Sequence, residues 1–277
     1  MSKRIKLLLS FLSFWIFLVL FKFGAGLHYS LNSPLGARVF PLWVVGVMMA
    51  GASLLELLLD VPAGRALDRF GYKKVLAVGT LFAVMGGLAL FWGVTEFSLV
   101  LSVILVTIGW LFFGPGRNAY SLSHAKKSNS VMFMAYRDIG GSIGIVLACV
   151  LLPFVVNSSG RTLSIIIVSL LGLAFLAMCF APPDKKKTRL ETSPHERTHQ
   201  QRAYLFKNLK LAVRRLNPAS TMLLMLNTAG GIFYGVVWFV IPLIIAQAVY
   251  NGELLGVGLA MFDFAIVAIG AFLINIV

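Results

Sequence analysis

Gly64-Arg65-Ala66-Leu67-Asp68-Arg69-Phe70-Gly71-Tyr72-Lys73-Lys74 is a short, basic, glycine-punctuated stretch set between two long apolar segments. Its charges mark a connection that meets water. The flanking segments are what it connects, and they continue in kind along the chain. With 59% hydrophobic and 12% charged side chains over 277 residues, and a mean hydropathy of +0.90, there are too few polar groups to cover a soluble surface. The solvent is lipid.

Inside a bilayer every backbone amide must be satisfied within the spanning structure, and the apolar stretches run for about 18 to 30 residues without strand-like alternation. Helices are therefore required. Eight spans are read, at 7–28, 41–63, 75–94, 97–115, 131–156, 162–181, 219–249 and 254–277. Lys3, Arg4 and Lys6 precede an apolar run of about twenty residues that lacks a small-x-small cleavage site, so this run is predicted to stay as helix 1. After the sixth span come Pro182-Pro183-Asp184-Lys185-Lys186-Lys187 and a polar stretch through Gln201. The chain thus divides into a six-helix transmembrane bundle (1–181), a basic linker (182–218) and the first two helices of a second bundle (219–277). Within the linker, Leu205, Phe206, Leu209, Val213 and Leu216 recur at helical spacing, with Lys207, Lys210 and Arg214 on another face. That pattern predicts an amphipathic helix on the membrane surface, the plainer alternative being a solvated helix or disordered linker.

A formal net charge of +14 would suggest nucleic acid in a soluble protein, but its distribution favours membrane topology. With the N-terminus inside, all but Lys22, Arg38, Arg137 and Arg161 of the 24 Lys and Arg residues fall in the tail, the 64–74 stretch, the connection before helix 5 and the linker. This positive-inside asymmetry predicts a cytoplasmic tail, stretch and linker, with Asn32, Ser158 and Asn251 outside. It accounts for the basic excess without a nucleic-acid partner. Cys149 and Cys179 lie in predicted spans, away from any metal-ligand or CxxC spacing, and read as small core residues. The four histidines, at 28, 124, 195 and 199, fall in or near predicted loops.

The spacing G-x3-D-R-x-G-x-K-K after the second span closely resembles the signature loop of the major facilitator superfamily, which joins transmembrane helices 2 and 3 on the cytoplasmic side. The approach, Leu57-Leu58-Leu59-Asp60-Val61-Pro62-Ala63-Gly64, is similar to the family's acidic-x-Pro-small-Gly lead-in, with Asp60 where Glu is frequent. Tyr72 departs from a frequent basic residue. The resemblance implies an all-α membrane fold of two six-helix bundles joined by a basic linker. This chain would hold the first bundle and two further helices, about eight in all, an apparent truncation. It also implies a gate in which Asp60, Asp68, Arg69, Lys73 and Lys74 make charge contacts with neighbouring helix ends, while Gly64 and Gly71 permit tight turning and close approach. The alternative is a basic turn that only sets topology. Arg137-x2-Gly140-Gly141-x2-Gly144 is similar to the family's helix-5 pattern, in which small residues pack against helices of the other bundle. The Gly-Pro version that marks many proton-driven drug antiporters is absent.

Ionisable groups within spans are costly and so are candidate functional groups. Glu56 and Asp60 lie four apart on one face of helix 2; Glu56 is a candidate proton or cation site, Asp60 a gate residue. Arg137 and Asp138 are adjacent and point about 100° apart, which predicts that each finds another partner. Arg137 is read as an anion-substrate ligand or as a counter-charge to Glu56 or Asp60. Asp263, about mid-membrane in helix 8, is the first candidate for proton coupling, with a static packing role as its alternative. Lys22 is predicted to snorkel to the outer end of helix 1. Phe233, Tyr234 and Trp238 are cavity or packing aromatics. The sequence contains no nucleophile-base-orienter set, phosphate-cradling loop or metal-ligand cluster. An enzyme is therefore not expected, nor a cofactor. The expected function is secondary active transport of a small solute by alternating access, coupled to protons and in the export direction, in a prokaryotic plasma membrane, with the lipid bilayer as surroundings and no obligatory protein partner. Import, or a non-transporting scaffold or receptor on the same fold, are the alternatives.

Overall fold

The computed structural model describes residues 3–124, 130–184 and Ile244. Six helices form the described part: α1 Lys3–Val39, α2 Leu42–Phe70, α3 Tyr72–Ala89, α4 Glu96–His124, α5 Ser130–Val155 and α6 Gly160–Phe180. Each is long and apolar enough to cross a membrane, and no strand occurs among the described residues. All six belong to one compact unit; a second unit, 186–236, lies outside the described residues. The predicted linker helix and the spans at 219–249 and 254–277 lie outside them too.

α1 touches every other helix and so runs through the middle of the bundle. Its apolar face carries Phe14, Phe17 and Phe21, all buried, and Phe21 stacks on Phe113 of α4 with ring centroids 4.1 Å apart. α5 and α6 flank α1, α3 packs on α4, and α2 is the least covered helix, resting mainly on α4. Two close approaches explain the tight pairs. A Cβ on Gly109 would come within 2.7 Å of the Gly79 carbonyl, so α3 and α4 meet backbone to backbone. On α5, a Cβ at Gly144 would collide with the Val19 carbonyl of α1. Gly140 sits against the indole side chain of Trp15 of α1, whose Nε1 would lie 2.8 Å from a Cβ there. Gly140 and Gly144 therefore meet α1 of their own bundle, while the helices of the other bundle that the resemblance implied lie outside the described residues.

The first helix departs from its predicted ending at residue 28. His28, Ser30, Asn32, Ser33 and Pro34 read as a polar loop, yet α1 continues through them to Val39. The first four are buried, and Ser30 Oγ donates to the Gly26 carbonyl at 3.0 Å, so the hydroxyl is satisfied within the helix. Asn32 is thus an interior residue of α1 and not an outer-loop residue. At its end, Arg38 donates to the Val156 carbonyl at 2.6 Å and to Asn157 Oδ1 at 3.1 Å, fastening α1 to the turn after α5.

Candidate functional site

The 64–74 stretch is mostly helix. α2 continues through Gly64, Arg65, Asp68 and Arg69 to Phe70, and the chain turns on Gly71 alone before α3 begins at Tyr72. Gly71 has φ +90°, a region that side chains with a Cβ rarely adopt, and its N–H closes α2 on the Leu67 carbonyl at 3.1 Å. The tight turn predicted here is real at Gly71. At Gly64 a Cβ would meet nothing within 4 Å among the described residues, so no close approach there requires glycine.

Asp60, Asp68, Arg69 and Lys74 are exposed. Lys73 makes a contact with a neighbouring helix end: its Nζ donates to the Cys179 carbonyl at 2.8 Å and the Ala181 carbonyl at 2.5 Å, at the C-terminus of α6. A residue not singled out in the sequence completes it. Asp184 accepts from the Lys73 backbone N–H at 3.1 and 3.2 Å, placing a carboxylate on the otherwise unpaired first turn of α3. Lys73 and Asp184 thus exchange services: a cation on the end of α6, an anion on the start of α3. A Cβ on Gly71 would lie 2.5 Å from Asp184 Oδ2, a second reason for glycine there. Tyr120 OH donates to the Pro182 carbonyl at 2.6 Å, and His124 Nε2 lies 3.1 Å from the Pro183 carbonyl. The Pro182-Pro183-Asp184 segment is therefore held by α3 and α4. Its signal was the proline pair that stops α6 and the acid after it. Which helix end the acid would reach was a matter of tertiary structure.

The second group lies in the interior. Lys22 is buried on α1, its Nζ 4.1 Å from the centre of the Trp110 ring and 5.5 Å from that of Phe113. Val39 lies seventeen positions further along the same helix, so the predicted snorkelling to its outer end does not occur. The prediction failed because it placed that end at residue 28. Arg117 of α4 has its guanidinium carbon 5.4 Å from the same Phe113 ring. Arg117 Nη1 and Lys22 Cε both approach the α-carbon of Gly141, at 3.6 and 3.8 Å from where a Cβ would stand.

Arg137, one turn before Gly141 on α5, grips Asp138 with a two-pronged pair, Nε to Oδ1 at 2.8 Å and Nη2 to Oδ2 at 2.6 Å. This corrects the expectation that adjacent residues point too far apart. The α-carbons diverge, but the long arginine side chain curls back and its planar fork matches the carboxylate. Arg137 Nη1 also donates to Asn118 Oδ1 at 2.6 Å, tying α5 to α4, and it pairs with Asp138 in place of Glu56 or Asp60. Glu56 accepts from Tyr29 OH at 2.9 Å, and the Tyr29 ring lies 5.4 Å from that of Trp110. Lys22 and Arg117 thus lie beside Phe113 and Gly141, Lys22 also beside Trp110, while Glu56 reaches Trp110 through Tyr29 and the Arg137–Asp138 pair joins α4 through Asn118. His28, predicted near a loop, lies in α1 with Nε2 2.6 Å from Ser102 Oγ of α4, which donates to the Gly86 carbonyl of α3 at 2.6 Å. Asp263, Phe233, Tyr234 and Trp238 lie outside the described residues.

A family model described as Major Facilitator Superfamily matches residues 7–276. Among solved structures, the chain is similar to the POT family transporter PepTSo, crystallised in meso, at 13% identity and a TM-score of 0.52 over 92% of this chain. The chain spans 54% of that protein's length, and the likeness is one of fold. No curated protein matches.

Proposed function

The chain belongs to the Major Facilitator Superfamily, and from that premise we propose that it is a secondary active transporter, moving a small solute by alternating access with proton coupling. Membership makes it an integral multi-pass membrane protein and a transporter, not an enzyme. The observation that supports the finer reading is the set of ionisable side chains gathered in the interior of the helices, around Trp110, where charge is costly and a solute or proton path gives it a use. Glu56 is the described carboxylate assigned to the proton, with Asp138 held in the arginine fork, and Asp263, the first coupling candidate, lies outside the described residues. The 64–74 stretch is the gate, on the cytoplasmic side of a prokaryotic plasma membrane with the N-terminus inside. Export is the first direction. Import is the second reading, favoured by the interior position of Lys22, which would hold an incoming anion.

The test uses the purified protein in vesicles, with a pH-sensitive dye and a labelled panel of sugars, amino acids, organic acids and hydrophobic amines. Glu56→Gln and Asp263→Asn are compared singly. The coupling residue is the one whose variant loses gradient-driven accumulation while keeping solute counterflow. Accumulation retained in both variants removes the coupling role from both. Asp68→Asn is expected to slow flux in both assays at normal abundance, and unchanged flux would leave the stretch as a topology signal.

A further inference from the structure

We infer that Tyr29 is the positioning residue of the proton site: its hydroxyl clasps the ionised Glu56 of α2 to α1, and proton binding loosens the clasp. The inference deepens the transporter reading and rests on its assignment of the proton to Glu56.

Tyr29 OH donates to Glu56 Oε1 at 2.9 Å, from α1 across to α2. The Tyr29 ring lies 5.4 Å from that of Trp110 on α4, inclined at 52°, so the phenol is steadied from a third helix. Glu56 itself is half-buried. It is faced by Tyr29 from α1 and by Asp60 from one turn further along α2, while α4 brings the neutral Trp110 ring beside Tyr29. Asp60 adds a like charge, which leaves the phenol hydroxyl as the group that steadies the anion among these three. A hydrogen bond to an ionised acceptor is about twice as strong as one between neutral groups. The bond from Tyr29 is therefore strong while Glu56 is a carboxylate and weak once a proton neutralises it.

α1 and α2 also meet near the short connection between them, and there the contact has no charge to lose. A Cβ on Gly36 would lie 2.8 Å from Val45 Cγ1, so packing holds the two helices at that level. Glu56 stands further along α2, about 16 Å beyond Val45 at 1.5 Å per residue. Proton binding thus slackens the fastening more distant from the connection and leaves the nearer one intact. α2 is the helix with most freedom to respond, being the least covered of the six, with Leu54, Leu58 and Val61 exposed along it.

The experiment titrates the purified protein in detergent by infrared difference spectroscopy, between about pH 4 and 9, and follows the carboxylic acid band. A band that is lost in Glu56→Gln belongs to Glu56. Tyr29→Phe, which keeps the ring, is expected to raise the midpoint of that band by about one pH unit, because the lost donor favoured the ionised form. 3-Fluorotyrosine encoded at position 29 alone has nearly the same shape and a stronger donor, and is expected to lower the midpoint. The clasp is read from the distance between spin labels on Leu12→Cys and Leu58→Cys, both exposed, with Cys149 and Cys179 replaced by alanine. The distance distribution is expected to broaden below the midpoint when Tyr29 is present and to be broad at every pH in Tyr29→Phe. An unmoved midpoint in Tyr29→Phe, a distribution indifferent to pH with Tyr29 in place, or the absence of a titrating Glu56 band overturns the inference. Neither measurement uses a gradient. A Tyr29-dependent Glu56 titration without proton-driven accumulation keeps the clasp and rejects the coupled-transporter reading, and accumulation without a titrating Glu56 does the reverse.

Discussion

The end of the bundle at Gly71 and its interior around Trp110 both join helices through charge, and they do so in opposite ways. At the Gly71 end, charged side chains speak to backbone: Asp184 to the first turn of α3, and Lys73 to the last carbonyls of α6. In the interior they speak to one another and to aromatic rings: Arg137 to Asp138 and Asn118, Lys22 to Trp110. Water can replace a lost partner at the first site. At the second, Arg137 and Asp138 are largely covered, so a lost partner is replaced less readily and the same kind of substitution should have different consequences in the two places.

The largest effect is expected from Arg137→Met, which strands Asp138 in the interior at a cost of about 3–5 kcal/mol. Thermal unfolding of the purified protein would show it, and Arg137→Met with Asp138→Asn should recover most of the loss. A double variant no more stable than the single one would erase the contrast. Next comes Gly71→Val, at about 1–3 kcal/mol from a positive-φ extended backbone that is essentially glycine's alone, with an added clash against Asp184. Here the contrast is sharpened, because the damage arises from the backbone and should be indifferent to salt. Asp184→Asn should cost only about 0.3–1 kcal/mol, and wild type in high salt should lose part of the same increment. A larger, salt-insensitive loss would place Asp184 with the interior charges. The smallest change is expected at Gly64→Ala, which meets open space within helix α2 and should be neutral or stabilising by up to about 1 kcal/mol, read in the same unfolding assay.

Membrane helices were legible because lipid imposes a simple rule on long apolar runs, and the boundaries of α5 and α6 came within a few residues. The turn at Gly71 was legible because glycine between charged residues has a local meaning. What escaped depended on neighbours distant in sequence. The polar run from His28 to Ser33 looked like a loop, since nothing nearby in the chain announces that Ser102 will meet His28 or that the run will be buried, with the α1 backbone accepting from Ser30. That misplaced end sent Lys22 towards a surface it does not reach. Arg137 and Asp138 were separated by a rule about α-carbons that ignores how far a guanidinium travels. Asp184 was visible as an acid among lysines, but its role belongs to α3, which begins 112 positions earlier in the chain.

The contact between His28 and Ser102 has a direction. A serine hydroxyl owns a single hydrogen, and Ser102 gives it to the Gly86 carbonyl. It can therefore only receive from His28, so the imidazole hydrogen must reside on Nε2 and leave Nδ1 bare. Three helices are thus joined by a one-way chain of donors running from α1 through α4 to α3, and the chain selects one tautomer. Glutamine at position 28 carries an N–H at similar reach and could keep the order of donation. An acceptor-only side chain there would face the lone pairs of Ser102 and force its hydrogen away from Gly86, reversing the chain at its first link.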